Sequence, residues 1–191
     1  MAVKKNLPIN VTLVVDSREK TTDYIKDIID KRRSSDGIKI VDYKVEAVKP
    51  LGCKTSTSDI TIEFQFDGEE EWFKTKFAVE LKKGTDIYQS LSTKASRDRL
   101  FNELDRSKEA ECDFYFLVTD DVETINKLIK KIPKFRKTNA DITHFDNFMK
   151  LQEKLLELGY TGVIATGKNE LGYVIRRLIK YHIKKFKLQQ K

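Results

Sequence analysis

Apolar positions along the chain change period several times, and each change marks an element. Val11 to Val15 is an apolar run ending at Asp16, the pattern of a buried strand. Tyr24, Ile25, Ile28 and Ile29 then recur at helical spacing, with Thr21 and Thr22 placed to cap the helix. Asp36-Gly37 signals a turn. Ile38, Ile40, Tyr43 and Val45 predict a strand within 38–48 that carries one break in phase, and 51–58, rich in Gly, Thr and Ser, predicts a loop. The most regular stretch follows. Ile60, Ile62, Phe64 and Phe66 alternate with Thr61, Glu63 and Gln65, the period of two that defines a strand. Asp67-Gly68 interrupts it, and extended character resumes from Trp72 to Leu81, so the two runs predict an antiparallel hairpin.

The second half turns helical. Ile87, Leu91, Leu100, Phe101 and Leu104 line one side, with an interruption near 92–96. Phe114 to Val118 predicts a short buried strand. Asp120 or Asp121 is placed to cap a helix carrying Val122, Ile125, Leu128 and Ile129, and a basic loop with Pro133 spans 130–138. Phe145, Phe148, Met149, Leu155 and Leu156 mark another helix, which Gly159 stops. Val163 to Ala165 predicts a strand, and Leu171, Val174, Ile175, Leu178, Ile179 and Ile183 predict the last helix. The order is mixed α/β, with a hairpin early and βα units later.

Composition narrows the class. At 191 residues, the length suits a single domain over 1–191 with its own core. The 37 Lys and Arg exceed the 30 Asp and Glu, giving a net charge of +7 that permits a polyanionic partner. Two cysteines, Cys53 and Cys112, exclude a disulfide scaffold and a Cys-rich zinc site. No apolar run approaches the ~18 residues of a membrane span, and the N-terminus lacks a secretory pattern. The expectation is an intracellular protein without a membrane, cytoplasmic if bacterial or phage-encoded and nuclear if eukaryotic.

Candidate chemistry begins on the hairpin. If its loop is 68–71, Asp67 faces Trp72 and Asp59 faces Glu80. Directly opposed residues have Cβ atoms about 4.5–5.5 Å apart. Two carboxylates that close repel unless one is protonated or a cation lies between them, and a hard divalent ion such as Mg²⁺ suits oxygen ligands. Glu80 and Lys82 share a face because strand residues two apart do, while Leu81 points away. Two carboxylates, a metal and one ammonium suit phosphodiester hydrolysis. The alternative for any lone Glu-x-Lys is an ordinary charged hairpin.

Four blocks in order carry a resemblance. They are Val14-Val15-Asp16-Ser17-Arg18-Glu19, Ser58-Asp59, Glu80-Leu81-Lys82-Lys83-Gly84-Thr85-Asp86, and Ser90-Leu91. Together they resemble the nuclease domain of the XPF family of structure-specific endonucleases, a branch of the PD-(D/E)XK nucleases. The resemblance implies a restriction-endonuclease-like α/β core, with a mixed central sheet, an antiparallel hairpin and flanking helices. It implies a Mg²⁺- or Mn²⁺-dependent DNA endonuclease acting on branched or flap DNA. Asp59 and Glu80, with Asp16, would hold the metal, and Lys82 would act on the water or the transition state. Asp86 would support the site or a second metal, unless it is only a helix cap. Asp16, Arg18 and Glu19 would line the same cleft, unless Asp16 and Arg18 are a strand-end ion pair. Arg18, Lys83, Arg97 and Arg99 would be placed to reach DNA.

Two positions depart from the family pattern. Ser58 stands for the usual Gly and Leu81 for the Arg between Glu and Lys, which bears on activity and substrate choice. The length leaves no room for the tandem helix-hairpin-helix domain that usually follows. The family commonly dimerises through later helices, so the apolar faces of 145–158 and 171–183 are candidates for a homodimer, or a heterodimer with a related subunit. Those faces serve equally well as core. Lys130, Lys131, Lys134, Arg136 and Lys137 form one basic cluster, and seven Lys and Arg without an acid lie between Arg176 and Lys191. Such clusters bind phosphates or solvate a helix face. Gly162 to Lys168 fits most of a phosphate-binding loop, but Asn169 replaces the metal-holding Ser or Thr. His144, His182, Cys53 and Cys112 lack ligand company and read as structural. Two other functions stay open: a non-catalytic DNA-binding or scaffold subunit on the same fold, and a PD-(D/E)XK nuclease of another branch.

Overall fold

A computed structural model describes residues 8–17, 24–30, 32–35, 37–120, 139–167 and 169–189. The fold is α/β, a mixed seven-stranded sheet flanked by helices, with strand order β2-β1-β3-β5-β6-β7 and β4 on β3. The chain divides into two compact units, Met1–Ala78 with Asn169–Lys191, and Val79–Lys168.

The first unit is built around β1 (Ile9–Asp16), whose residues are almost all buried. A crossover through α1 (Ile25–Ile28) leads to β2 (Ile38–Glu46), which pairs with β1 in parallel. The break in phase expected in this strand is a bulge. Val11 faces Ile40 but Thr12 faces Asp42, so Val41 is the extra residue. On the other side of β1 lies β3 (Ile60–Phe66), antiparallel, with Val15 facing Ile60 and Ile9 facing Phe66. Because β2 ends where β3 begins, the connection over 47–59 has to cross the C-terminal end of β1.

The hairpin after β3 differs from expectation. The extended run splits into β4 (Phe73–Lys74) and β5 (Phe77–Lys82). Glu63 faces Lys74 and Phe64 faces Phe73, where the expected register would give Lys76 and Thr75. The register is therefore two residues away from expectation. Asp67 is drawn toward β1: Asn10 Nδ2 donates to Asp67 Oδ1 at 3.2 Å, and an Arg33 guanidinium nitrogen lies 3.3 Å from Oδ2. Thr75 separates the two short strands by donating its hydroxyl to the Ile62 carbonyl at 2.9 Å.

The last helix, α5 (Leu171–Gln189), belongs to this first unit. Its Leu171, Ile175, Ile179 and Ile183 are buried. Phe186 meets Phe64 with ring centroids 4.9 Å apart, and His182 meets Phe77 at 5.4 Å. The helix thus covers the face that carries Phe64, Leu13 and Val11. Its apolar line is core of the unit, the second of the two roles expected for it.

The second unit holds β5 from Val79 onward, then α2 (Gly84–Ser92), α3 (Lys94–Glu109), β6 (Asp113–Val118), α4 (Asn139–Glu157) and β7 (Val163–Ala165). The expected interruption near 92–96 is the break between α2 and α3, where the Thr93 side chain accepts a hydrogen bond from Ser96 N. Asn147 of α4 ties this corner, donating to the Leu91 carbonyl and accepting from Arg97, both at 2.9 Å. Gly159 ends α4 as expected. It has φ +77°, its N–H bonds to Leu156 O, and that of Tyr160 bonds to Leu155 O, a Schellman pair. Strand β7 pairs with β6 in parallel. The Thr21–Thr22 cap, Asp36, the helix expected from Asp121 and the basic loop over 130–138 lie outside the described residues.

Candidate active site

Each strand end brings one functional side chain into position. Asp16 is the last residue of β1 and only 2% exposed. Asp59 directly precedes β3, and its carbonyl accepts the Asp16 N–H at 2.8 Å. This bond continues the β1–β3 register by one step beyond the Val15–Ile60 pair. Asp16 and Asp59 are thus opposed across antiparallel strands on one sheet face, and opposed Cβ atoms lie about 4.5–5.5 Å apart. Glu46, the last residue of β2, faces Asp16 from the other side. The crossing loop completes the surroundings, with Ser56 Oγ donating to Asp16 Oδ2 at 3.3 Å. Three acids therefore lie at the neighbouring ends of three adjacent strands, with Glu46 turned to Lys44.

Glu80 and Lys82 lie in the second unit, on β5. Both project to the same side, as strand alternation requires, and Lys82 Nζ lies 2.5 Å from Glu80 Oε1. Glu80 is buried, while Lys82 keeps partial exposure. The Lys82 carbonyl accepts from Thr119 N at 2.9 Å, which fixes the end of β5 beside β6. Asp86 lies in the first turn of α2 with partial exposure, and its N–H bonds to Lys83 O at 2.9 Å. Asp86 is not the helix cap considered above. Lys83 occupies that position without a side-chain bond. At the third helical residue, Asp86 still benefits from the positive end of the helix dipole.

The expected DNA-contacting residues separate. Lys83 and Arg99 are exposed. The Arg97 guanidinium is engaged by Asn147, bracing α3 on α4. Arg18 and Glu19 lie outside the described residues. Among the other singled-out positions, His182 and Cys112 are buried and Cys53 is partly exposed. Within the Gly162–Lys168 segment, Val163–Ala165 form a strand, and Lys168 lies outside the described residues. Among the described residues, no helix is long and apolar enough to cross a membrane.

Asp16 and Asp59 are hard oxygen donors side by side, a set suited to Mg²⁺ or Mn²⁺. Among the described residues no group of three or more His, Cys, Asp or Glu is gathered closely enough to hold a metal ion by itself. Mg²⁺ does not need one, since it is commonly bound by one or two carboxylates, with water and substrate phosphate filling the remaining positions. What sequence reasoning missed is a second neighbour: the β1–β3 ladder opposes Asp59 to Asp16 on the β1 side. The alternating run of β3 gave the signal for a strand but not for its neighbour. No family model matches the chain, and no curated protein matches it either.

Proposed function

We propose that this protein is a Mg²⁺- or Mn²⁺-dependent DNA endonuclease on a restriction-endonuclease-like PD-(D/E)XK core, similar to the XPF family. The observation that carries this reading is the opposed pair at the strand ends, the buried Asp16 and the partly exposed Asp59. Paired carboxylates at one sheet end supply the oxygen donors that a hard divalent cation takes. Asp16 and Asp59 would hold the metal, and the resemblance adds Glu80 as a ligand and Asp86 as a supporting residue, both carried by the second unit. A bound metal polarises the phosphoryl oxygen and lowers the pKa of its water. The Lys82 ammonium orients the attacking water and offsets charge on the phosphate in the transition state. Lys83 and Arg99 bind flanking phosphates, a role the resemblance extends to Arg18, and Arg97 acts by holding α3 in position. The substrate is branched or flap DNA, and the active species is a dimer.

A second reading has an observation in its favour. The Glu80 carboxylate already has a cation in Lys82 at 2.5 Å, and Leu81 stands where the family has Arg. On that reading the chain is a DNA-binding or scaffold subunit. One experiment separates the two. Labelled fork, flap and duplex DNA are incubated with Mg²⁺ or Mn²⁺ and the wild type, Asp59→Ala or Glu80→Ala. The nuclease reading expects wild-type cleavage of branched substrates and a loss of at least about a hundredfold in each variant. Binding without cleavage of any substrate supports the scaffold, and cleavage surviving both substitutions refutes the site. Cleavage of unbranched duplex at one sequence points to another PD-(D/E)XK branch.

A further inference from the structure

On the sheet face that carries Asp16 and Asp59, the next cross-strand pair along β1 and β3 is Val14–Thr61. Residues two apart on a strand share a face and lie about 7 Å apart. Val14 and Thr61, both buried, line a pocket of about 320 Å³. Its walls include Glu46 and Glu63, and the exposed Lys49 and Lys74 stand at its edge. All these residues belong to the first unit.

The chemistry of this pocket is specific. Its volume lies at the small end of ligand sites, which run from about 300 to 1,000 Å³. That accommodates one nucleotide and excludes a stacked base pair. Lys44 Nζ lies 3.0 Å from Glu46 and 2.8 Å from Glu63, so one ammonium outside the pocket lining bridges the two carboxylates and offsets part of their charge. Their carboxylate oxygens act as acceptors for base amino groups, as carboxylates do for cytosine. Lys49 and Lys74 supply the charge for a phosphate. Base edges become available this way only in unpaired nucleotides.

We propose that this pocket binds one unpaired nucleotide of single-stranded DNA, next to the strand ends that carry Asp16 and Asp59. Its position relative to a cut rests on the nuclease reading, while its occupancy does not. The test measures binding of a labelled oligodeoxycytidylate by fluorescence anisotropy in chelator, so no cleavage is needed. A series carrying one abasic position at each site in turn is titrated in parallel. Ala47→Trp places an indole at the pocket lining without altering a buried residue. Lys49→Ala combined with Lys74→Ala removes both edge cations.

The expected result is roughly tenfold weaker binding for each variant. In the wild type, one abasic position weakens binding, and Ala47→Trp loses that position dependence. Wild-type affinity in both variants, an abasic series without a preferred position, or equal affinity for duplex overturns the proposal. The abasic series on wild type decides the matter even if a variant fails to fold. Cleavage of the same oligonucleotides with Mg²⁺ is followed separately. Position-dependent binding without cleavage sinks the nuclease reading and leaves the pocket standing. Cleavage without position dependence does the reverse.

Discussion

Lys44 links two strands through charge. Its ammonium reaches Glu46 on its own strand and Glu63 on β3, two strands away. Burial works against the charged form, but hydrogen bonds and attraction to Glu63 and Glu46 outweigh it, holding the pKa above the usual lysine value of 10.5. A folded-state pKa above the unfolded one adds stability that is fully present below 10.5 and lost as pH rises through the folded value. Denaturant unfolding from neutral to strongly alkaline pH checks this in the wild type and Lys44→Met. The wild type is expected to exceed the variant by a constant margin at neutral pH, shrinking above 10.5. A margin independent of pH would refute the linkage. At this scale, local pairs were legible and distant ones were not. Glu80 and Lys82 meet because two residues of strand fix their geometry. Asp16 and Asp59 meet only because β3 chooses β1, and nothing local to either residue encodes that choice.

Among elements, the tightest fit described is between α1 and α5. A Cβ at Gly172 would lie 2.5 Å from Asp27 Cβ and 3.0 Å from Tyr24 O, against the backbone and first side-chain carbon of the neighbouring helix. Alanine favours a helix by about 1 kcal/mol over glycine, yet here the close approach decides. Gly172→Ala is expected to destabilise by about 1–3 kcal/mol in urea unfolding, the usual cost of overpacking. Equal or higher stability would show that the two helices can separate freely. Asp30 reinforces the same junction, with Lys180 Nζ at 2.9 Å and Arg176 at 3.6 Å. The element boundaries that sequence predicted well carry a local chemical mark: the Thr93 cap, the Gly159 stop, the phase break at Val41. The hairpin went astray because its loop is set by Asp67 reaching Asn10 and Arg33, residues far away in the chain.

For the molecule as a whole, the net charge of +7 conceals an uneven distribution. Asp16, Glu46 and Asp59 gather at one sheet end of the first unit, while α5 from Arg176 to Lys187 contains no acid. Not all that positive charge is available, since Arg176 and Lys180 are turned to Asp30. Arg177 and Lys184 are exposed. DNA affinity measured without divalent metal is expected to fall linearly with salt on logarithmic axes, with a slope counting the neutralised phosphates. Affinity insensitive to salt would argue against a polyanionic partner. The α/β class was legible from the order of periodicities. The return of α5 to the unit that opens the chain was not, because an amphipathic pattern states that a helix has a buried face without stating what buries it.

The extra residue at Val41 has a consequence for chain length. Before it, Ile38 and Ile40 share the buried face with Ile9 and Val11; after it, Tyr43 and Val45 align with Leu13 and Val15. Lys44 and Glu46 therefore stand beside Val14 and Asp16. A strand one residue shorter would exchange these places, turning the charged wall of the pocket apolar and taking Glu46 from beside Asp16. The chemistry at this end of the sheet thus depends on a spacing as much as on any side chain, and a single deletion in an outer strand would erase it while leaving every acidic residue in the sequence.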